Sequence, residues 1–150
     1  MEVLTDKEIE EVLSTTWDGV LCLVDQDKPY CIPIAHVYHD GGIYILFLKE
    51  GRKTRCAETN KNACYLVHCI IGNAYYSILV EGYLNRTNDE TEVEVVLKKF
   101  YDNVFPKDPF FKEFRELDKF QQIVKICLGD SKVGLYKLIP QTVSGFKKHF

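Results

Sequence analysis

Residues 34–48 read Ile34-Ala35-His36-Val37-Tyr38-His39-Asp40-Gly41-Gly42-Ile43-Tyr44-Ile45-Leu46-Phe47-Leu48. Two runs rich in β-branched and aromatic residues, Ile34–Tyr38 and Ile43–Leu48, flank Asp40-Gly41. Asp and Gly tolerate the positive φ that a tight type I′ turn demands, so the stretch predicts a β-hairpin of fixed register. The same texture continues from Gly19 to Arg86, broken at Asp25-Gln26-Asp27-Lys28-Pro29 and at Ile71-Gly72-Asn73. It predicts a meander of hairpins that includes strands Ala63–Ile71 and Tyr75–Asn85.

Helical signatures border this β region. Thr5 with Glu8 forms a capping box, Leu4 and Ile9 a hydrophobic staple, and Ile9, Val12 and Leu13 an apolar stripe. A short amphipathic helix over the end of a barrel is expected there. Lys49–Asn60 reads as a tight loop feeding a second short helix. Thr87 and Glu90 suggest another capping box, ahead of Val93, Val96, Leu97, Phe100, Tyr101, Val104 and Phe105, with Pro106 as the stop. Phe110, Phe111, Phe114 and Leu117 predict a further helical turn or two. Ile123–Leu128 and Val133–Ile139 read as two last strands. Six to seven antiparallel strands with peripheral helices predict a mainly β fold of α+β type, most simply a closed or nearly closed barrel that removes sheet edges.

The composition agrees with one domain spanning 1–150, since 46% of the 150 residues are hydrophobic and 27% charged. A formal net charge of -3 argues against an electrostatic nucleic-acid binder. The apolar runs Gly19–Val24, Ile43–Leu48 and Ala74–Val80 fall short of the roughly 18 residues a spanning helix needs, so no membrane partner is expected. The acidic, quickly amphipathic start Met1–Asp6 has no secretion-signal pattern and predicts a cytoplasmic protein. In a reducing compartment the six cysteines read as free thiols; Cys22, Cys31, Cys64, Cys69 and Cys127 lie in apolar runs, where cysteine behaves as a small hydrophobe.

Several chemistries drop out. No Gly-x-Gly-x-x-Gly follows the first strand, and Gly51-Arg52-Lys53-Thr54 lacks the upstream glycine of a P-loop, where Leu46 stands. Ser77, Ser131 and Ser144 sit in no nucleophile elbow. His36, His39, His68 and Cys69 form no coherent metal set, because His36 and His39 on one strand point to opposite faces. What remains is the basic cluster Lys49, Arg52, Lys53 and Arg55 after an apolar strand and around Gly51. Arg offers a planar fork, Lys a point charge and the following helix start its N–H groups, a combination suited to an anion such as phosphate; a solvated charged loop is the simpler alternative.

Order and spacing add a resemblance. Lys28-Pro29-Tyr30-Cys31-Ile32-Pro33-Ile34, Val37-Tyr38, Asp40-Gly41, Ile43-Tyr44, Gly51-Arg52-Lys53, Asn60-Lys61-Asn62-Ala63-Cys64, Val80-Glu81-Gly82 and Leu138–Gly145 resemble the pyridoxamine-phosphate-oxidase-like family. More narrowly, the string is similar to the nitroimidazole-reductase-like branch, over nearly the whole chain.

That resemblance implies an FMN-binding split β-barrel that forms homodimers, with the cofactor in a groove at the subunit interface. It implies that Arg52 and Lys53 hold the flavin phosphate, and that main-chain groups of Pro33, Ile34, Ala35 and His36 and of Leu46, Phe47 and Leu48 line the isoalloxazine ring. Leu46 and Phe47 depart from the branch, which tends to carry a histidine and a small residue there; Phe47 is expected to stack or fill space near the flavin. Gly51 stands where the oxidase proper often has serine, and its N–H is expected to compensate by close approach. The implied activity is an oxidoreductase passing electrons from NAD(P)H through FMN, or a related flavin or deazaflavin, to a small-molecule substrate. Tyr30, Tyr75 and Tyr76 are candidate donors, although ordinary strand tyrosines with outward hydroxyls are the favoured reading. The alternatives are pyridoxamine phosphate oxidase itself, a non-catalytic flavin or haem protein using His36, His39, His68 or His149, and a barrel without cofactor. The aromatic surface of Val93–Phe105 and Phe110–Phe120 is the expected ground for the dimer.

Overall fold

The Asp40-Gly41 turn forms as read: Asp40 has φ 48° and Gly41 φ 77°, the left-handed pair of a type I′ hairpin. It joins β4 (Val37–His39) to β5 (Gly42–Phe47) in the register Val37↔Tyr44, Tyr38↔Ile43 and His39↔Gly42. The computed structural model describes residues 1–114 and 119–150. Around the hairpin the chain runs β1 (Glu2–Val3), α1 (Asp6–Thr15), β2 (Asp18–Asp25), β3 (Lys28–Ala35), then β4 and β5, α2 (Arg52–Thr59), β6 (Asn62–Ile71), β7 (Ala74–Thr87), α3 (Glu90–Lys99), α4 (Phe120–Leu128) and β8 (Gly134–His149).

All the strands belong to one antiparallel sheet, in the order β3-β2-β6-β7-β8-β5-β4, with β1 added alongside β8. Strands β3 and β4 are a single run of chain broken only at His36, so one segment borders both ends of the sheet. The sheet therefore curls into a split barrel of seven main strands. At Glu81/Gly82 a bulge shifts the β7–β8 register, and a Cβ on Gly82 would collide with the Ile139 carbonyl.

Two cores explain why Ile43–Leu48 is continuously apolar instead of alternating. Ile43, Ile45 and Phe47 fill the barrel with Leu21, Tyr65 and Ile78, whereas Tyr44 and Leu46 face a second core under α3 and α4. Both faces of β5 are covered, and every residue from Gly42 to Phe47 is buried. Helix α1 closes one barrel end. Its Thr5–Glu8 capping box is present, and Leu4, Ile9, Val12 and Leu13 enter the barrel core.

Three expectations change. Ile123–Leu128 is not a strand but most of α4; Ile123, Val124 and Cys127 are its buried stripe, and short apolar runs do not by themselves separate helix from strand. The cap of α3 is Asp89, which accepts from the Glu92 N–H at 3.0 Å, while Thr87 stays in β7 opposite Leu135. Part of the aromatic face expected to support a dimer is spent internally, since Val93, Val96, Leu97, Phe100, Tyr101, Val104 and Phe105 are buried in the second core, whereas Phe110 is 85% exposed. Helix α3 runs on into a wide π turn at Phe100–Val104, closed by Phe105 N–H on the Phe100 carbonyl at 2.8 Å. A 3-10 stretch, Pro109–Phe114, follows; Leu117 lies outside the described residues.

Candidate functional site

Where β5 leaves the sheet, the chain turns through Lys49, Glu50 and Gly51 into α2. Beside this exit is a largely apolar cavity of about 470 Å³, walled by Trp17, Gly19, Pro33, Ile34, Ala35, Leu46 and Leu48. Asp18, Lys49, Lys53 and the Asp108–Phe111 segment complete it. A second hollow of about 420 Å³ is bounded by Tyr30, Ile32, Glu50, Gly51 and Arg52, and it shares Pro33, Lys49 and Lys53 with the first. An apolar slot and a basic hollow thus meet at Lys53.

Of the residues nominated from sequence, Pro33, Ile34, Ala35, Leu46, Leu48 and Lys53 surround the cavity, and Arg52 and Lys53 flank the hollow. Two do something else. Phe47 alternates away from Leu46 into the barrel core, where its ring lies 4.9 Å from that of Tyr136; the expectation that Phe47 stacks near a flavin fails because the strand's period of two turns it inward. His36 is 1% exposed, beneath the cavity wall. Its Nδ1 lies 2.9 Å from the Tyr65 hydroxyl and its Nε2 3.2 Å from the Leu13 carbonyl. The Tyr65 hydroxyl also donates to the Ile34 carbonyl at 2.6 Å. Burial holds the His36 pKa down at about 4, against a smaller opposing effect of Leu13.

The two cations differ in setting. Arg52 donates through Nε to Asp25 Oδ2 at 2.7 Å, and its guanidinium stacks 4.0 Å from the centroid of the Tyr30 ring. That hydrogen bond raises the already high Arg52 pKa. Tyr30 is therefore a platform for Arg52. Lys53 is half-buried, and its pKa is lowered first by desolvation and then by Lys49. Its Nζ stands 5.6 Å from the Phe47 ring. The Gly51 N–H, expected to approach an anion, instead donates to Thr54 Oγ1 at 2.9 Å.

Sequence reading missed Trp17, Asp18, Gly19 and Asp108–Phe111 as part of the site. The one legible signal was the Asp108-Pro109 turn: Asp108 is 6% exposed, and its Oδ1 accepts the Phe110 N–H at 2.9 Å. Tyr75 and Tyr76 lie on β7 and do not line either space. No histidine lines the cavity. His39 bonds Lys99 Nζ at 2.8 Å, His149 sits 3.7 Å from Glu2, and His68 lies beside the Tyr75 ring at 6.1 Å. Among the described residues no group of three His, Cys, Asp or Glu is placed to hold a metal ion, and no helix is long and apolar enough to cross a membrane.

Solved structures share this architecture. The FAD binding protein from Mycobacterium smegmatis superposes with a TM-score of 0.68 at 11% identity, covering 99% of this chain and 100% of that one. A candidate 5-nitroimidazole antibiotic resistance protein from Bacteroides thetaiotaomicron gives a TM-score of 0.65 at 20% identity, with 97% and 86% of the two chains covered. A heme binding protein from Mycobacterium smegmatis gives 0.67 at 12% identity, with 99% and 60% covered. At such identities these likenesses establish the fold. No curated protein matches the sequence. The family model described as pyridoxamine 5'-phosphate oxidase, however, matches residues 5–129, most of the barrel and both helices of its second core, and the chain belongs to that family.

Proposed function

We propose that this protein binds a flavin, FMN in particular, and works as an oxidoreductase that passes electrons from NAD(P)H to a small acceptor. The observation that carries the reading is the junction of the apolar cavity with the basic hollow at Pro33, Lys49 and Lys53. A flavin nucleotide has the matching form, a flat apolar ring tied to an anionic phosphate. The cavity volume, about 470 Å³, falls in the range usual for cofactor pockets.

The residues present fit such a group. Lys53 and Arg52 would hold the phosphate, the main chain of β3 at Pro33–Ala35 and of Leu46–Leu48 at the exit of β5 would face the ring, and Trp17 and Phe111 would shield it from water. When bound, the flavin supplies hydride and single-electron exchange, the chemistry that amino-acid side chains lack. No side chain in the cavity is assigned as acid or base. The family resemblance to flavin-binding neighbours supports the cofactor class; the cytoplasm is the proposed location.

A homodimer belongs to the same proposal. On the outer sheet face Val20 lies opposite Leu66, Leu66 opposite Leu79, and Phe146 opposite Ser77. Ile70, 64% exposed, and Phe146, 40% exposed, extend this apolar strip beside the cavity end of β2. Burying this strip against a second copy, with Cys31 on the edge strand β3 left outside the contact, would remove that surface from water and complete the cavity wall.

The test is the absorbance spectrum of protein purified without added cofactor, with identification of whatever acid releases. Flavin bands and released FMN are expected. Protein that is colourless, and whose fluorescence titration with FMN shows no saturable binding, would remove the reading. Oxidation of NADH or NADPH by the loaded protein with an artificial acceptor separates an enzyme from a binding module. Light scattering tests the dimer.

A further inference from the structure

On the outer sheet face, three thiols from three neighbouring strands stand in one row. Cys22 on β2 is directly opposite Cys31 on β3, and on its other side directly opposite Cys64 on β6. The Cys22 and Cys31 Sγ atoms are 3.0 Å apart, inside ordinary sulfur contact. All three thiols are free; Cys31 is exposed and the other two are half-buried. The sequence reading of Cys22, Cys31, Cys64, Cys69 and Cys127 as small hydrophobes accounts for Cys127, which is buried, but not for an exposed thiol aimed at its neighbour.

We propose that Cys22 and Cys31 form a redox-active pair that closes reversibly into a cross-strand disulfide, with a low-molecular-weight disulfide of the glutathione type as oxidant. Directly opposed residues of an antiparallel pair have Cα separations of about 4.5 or 5.5 Å, both within the range a disulfide spans. The bond therefore needs side-chain rotation alone. The row is straight across the strands, so Cys31 and Cys64 sit on opposite sides of Cys22, which suits pairwise exchange better than a shared metal ion.

Exposure assigns the order of steps. The Cys31 thiolate attacks one sulfur of glutathione disulfide, which forms a mixed disulfide and releases one glutathione thiol. Cys22 then loses its proton to solvent and attacks Cys31 Sγ, forming the Cys22–Cys31 bond and expelling the second glutathione thiol. Two protein thiols are oxidised and one glutathione disulfide is reduced to two thiols. Burial above all pushes the Cys22 pKa up, so the second step is the slow one and quickens with pH. Tyr30 and Ile32, the neighbours of Cys31, both border the basic hollow, so the bond would pin the hairpin that forms one of its walls. The pair stands whether or not a flavin binds.

The experiment incubates the native protein with glutathione disulfide, alkylates the remaining thiols and measures intact and peptide masses. The expected product has lost two thiols and two hydrogens, lies within the peptide containing Cys22 and Cys31, and reverts with dithiothreitol. Cys31→Ser should abolish it. Cys22→Ser should instead stop at a lasting glutathione adduct on Cys31, and Cys64→Ser should still form the bond. Circular dichroism confirms that each near-isosteric variant folds. The proposal is overturned by an adduct on Cys31 of the unchanged chain that never resolves, by a Cys22–Cys64 bond in its place, or by a native Cys31 that glutathione disulfide cannot reach.

Discussion

The Tyr65 hydroxyl sits between two partners, 2.9 Å from His36 Nδ1 and 2.6 Å from the Ile34 carbonyl to which it donates. It ties the break between β3 and β4 to the strand that walls the cavity. Tyr65 is fully buried, so Tyr65→Phe strands a carbonyl and a ring nitrogen in the core. A loss of about 1–3 kcal/mol is expected in urea unfolding, and with it weaker FMN binding as Ile34 shifts. Unchanged stability and unchanged binding would show that the hydroxyl positions nothing.

His36, the partner of that hydroxyl, sets a pH dependence through its burial. His36 is neutral in the folded chain because its pKa is held at about 4, below the ordinary 6.5. The unfolded chain therefore binds more protons between those values, and stability is full above pH 6.5 and falls as pH drops towards 4. The whole interval is worth on the order of 3 kcal/mol. Unfolding midpoints measured from pH 7 to pH 4 should decline for the unchanged chain and flatten for His36→Gln. Parallel profiles would assign the acid sensitivity to other groups.

Lys53 and Arg52 are expected to contribute unequally to anion binding. Lys53 borders both the cavity and the hollow, whereas Arg52 borders only the hollow and is already paired with Asp25. Lys53→Ala should weaken FMN binding by roughly tenfold or more, the scale of one lost charge-assisted hydrogen bond, and Arg52→Ala by less. Binding titrations on the two single variants decide, and the reverse order would place the phosphate against Arg52.

Backbone packing gives a sharper contrast. A methyl on Gly82 meets the Ile139 main chain at the β7–β8 bulge, while nothing lies within 4 Å of one on Gly51. Gly82→Ala should cost about 1–3 kcal/mol or more by overpacking, and Gly51→Ala close to nothing. Thermal unfolding of both variants measures the difference; equal melting temperatures would mean that the bulge yields freely.

Local chemistry made much of this fold readable. The Asp40-Gly41 hairpin, the Thr5–Glu8 capping box and the α2 start after Gly51 each depend on neighbours a few residues apart, and each forms. Ile123–Leu128 misled because its sequence supports two periodicities, and only packing under the sheet beside α3 selects the helix. For the candidate site, Pro33–Ala35, Leu46, Leu48, Arg52 and Lys53 were legible through family resemblance. Trp17, Asp18 and Asp108–Phe111 were not, since the fold alone brings those segments to the cavity.

Sequence by itself determined the Asp40-Gly41 hairpin, the Thr5–Glu8 cap, the basic turn after β5 and the family, because these reside in short-range patterns and their order along the chain. Tertiary structure decided which face each residue serves. It turned Phe47 into the barrel and Leu46 to the cavity, drew Phe100, Tyr101 and Phe105 beyond α3 into a second core, engaged Arg52 with Asp25, and set Cys31 against Cys22. The physical reason is that a strand offers two faces of equal geometry, and only the closing of the sheet assigns one to the core and the other to solvent or ligand.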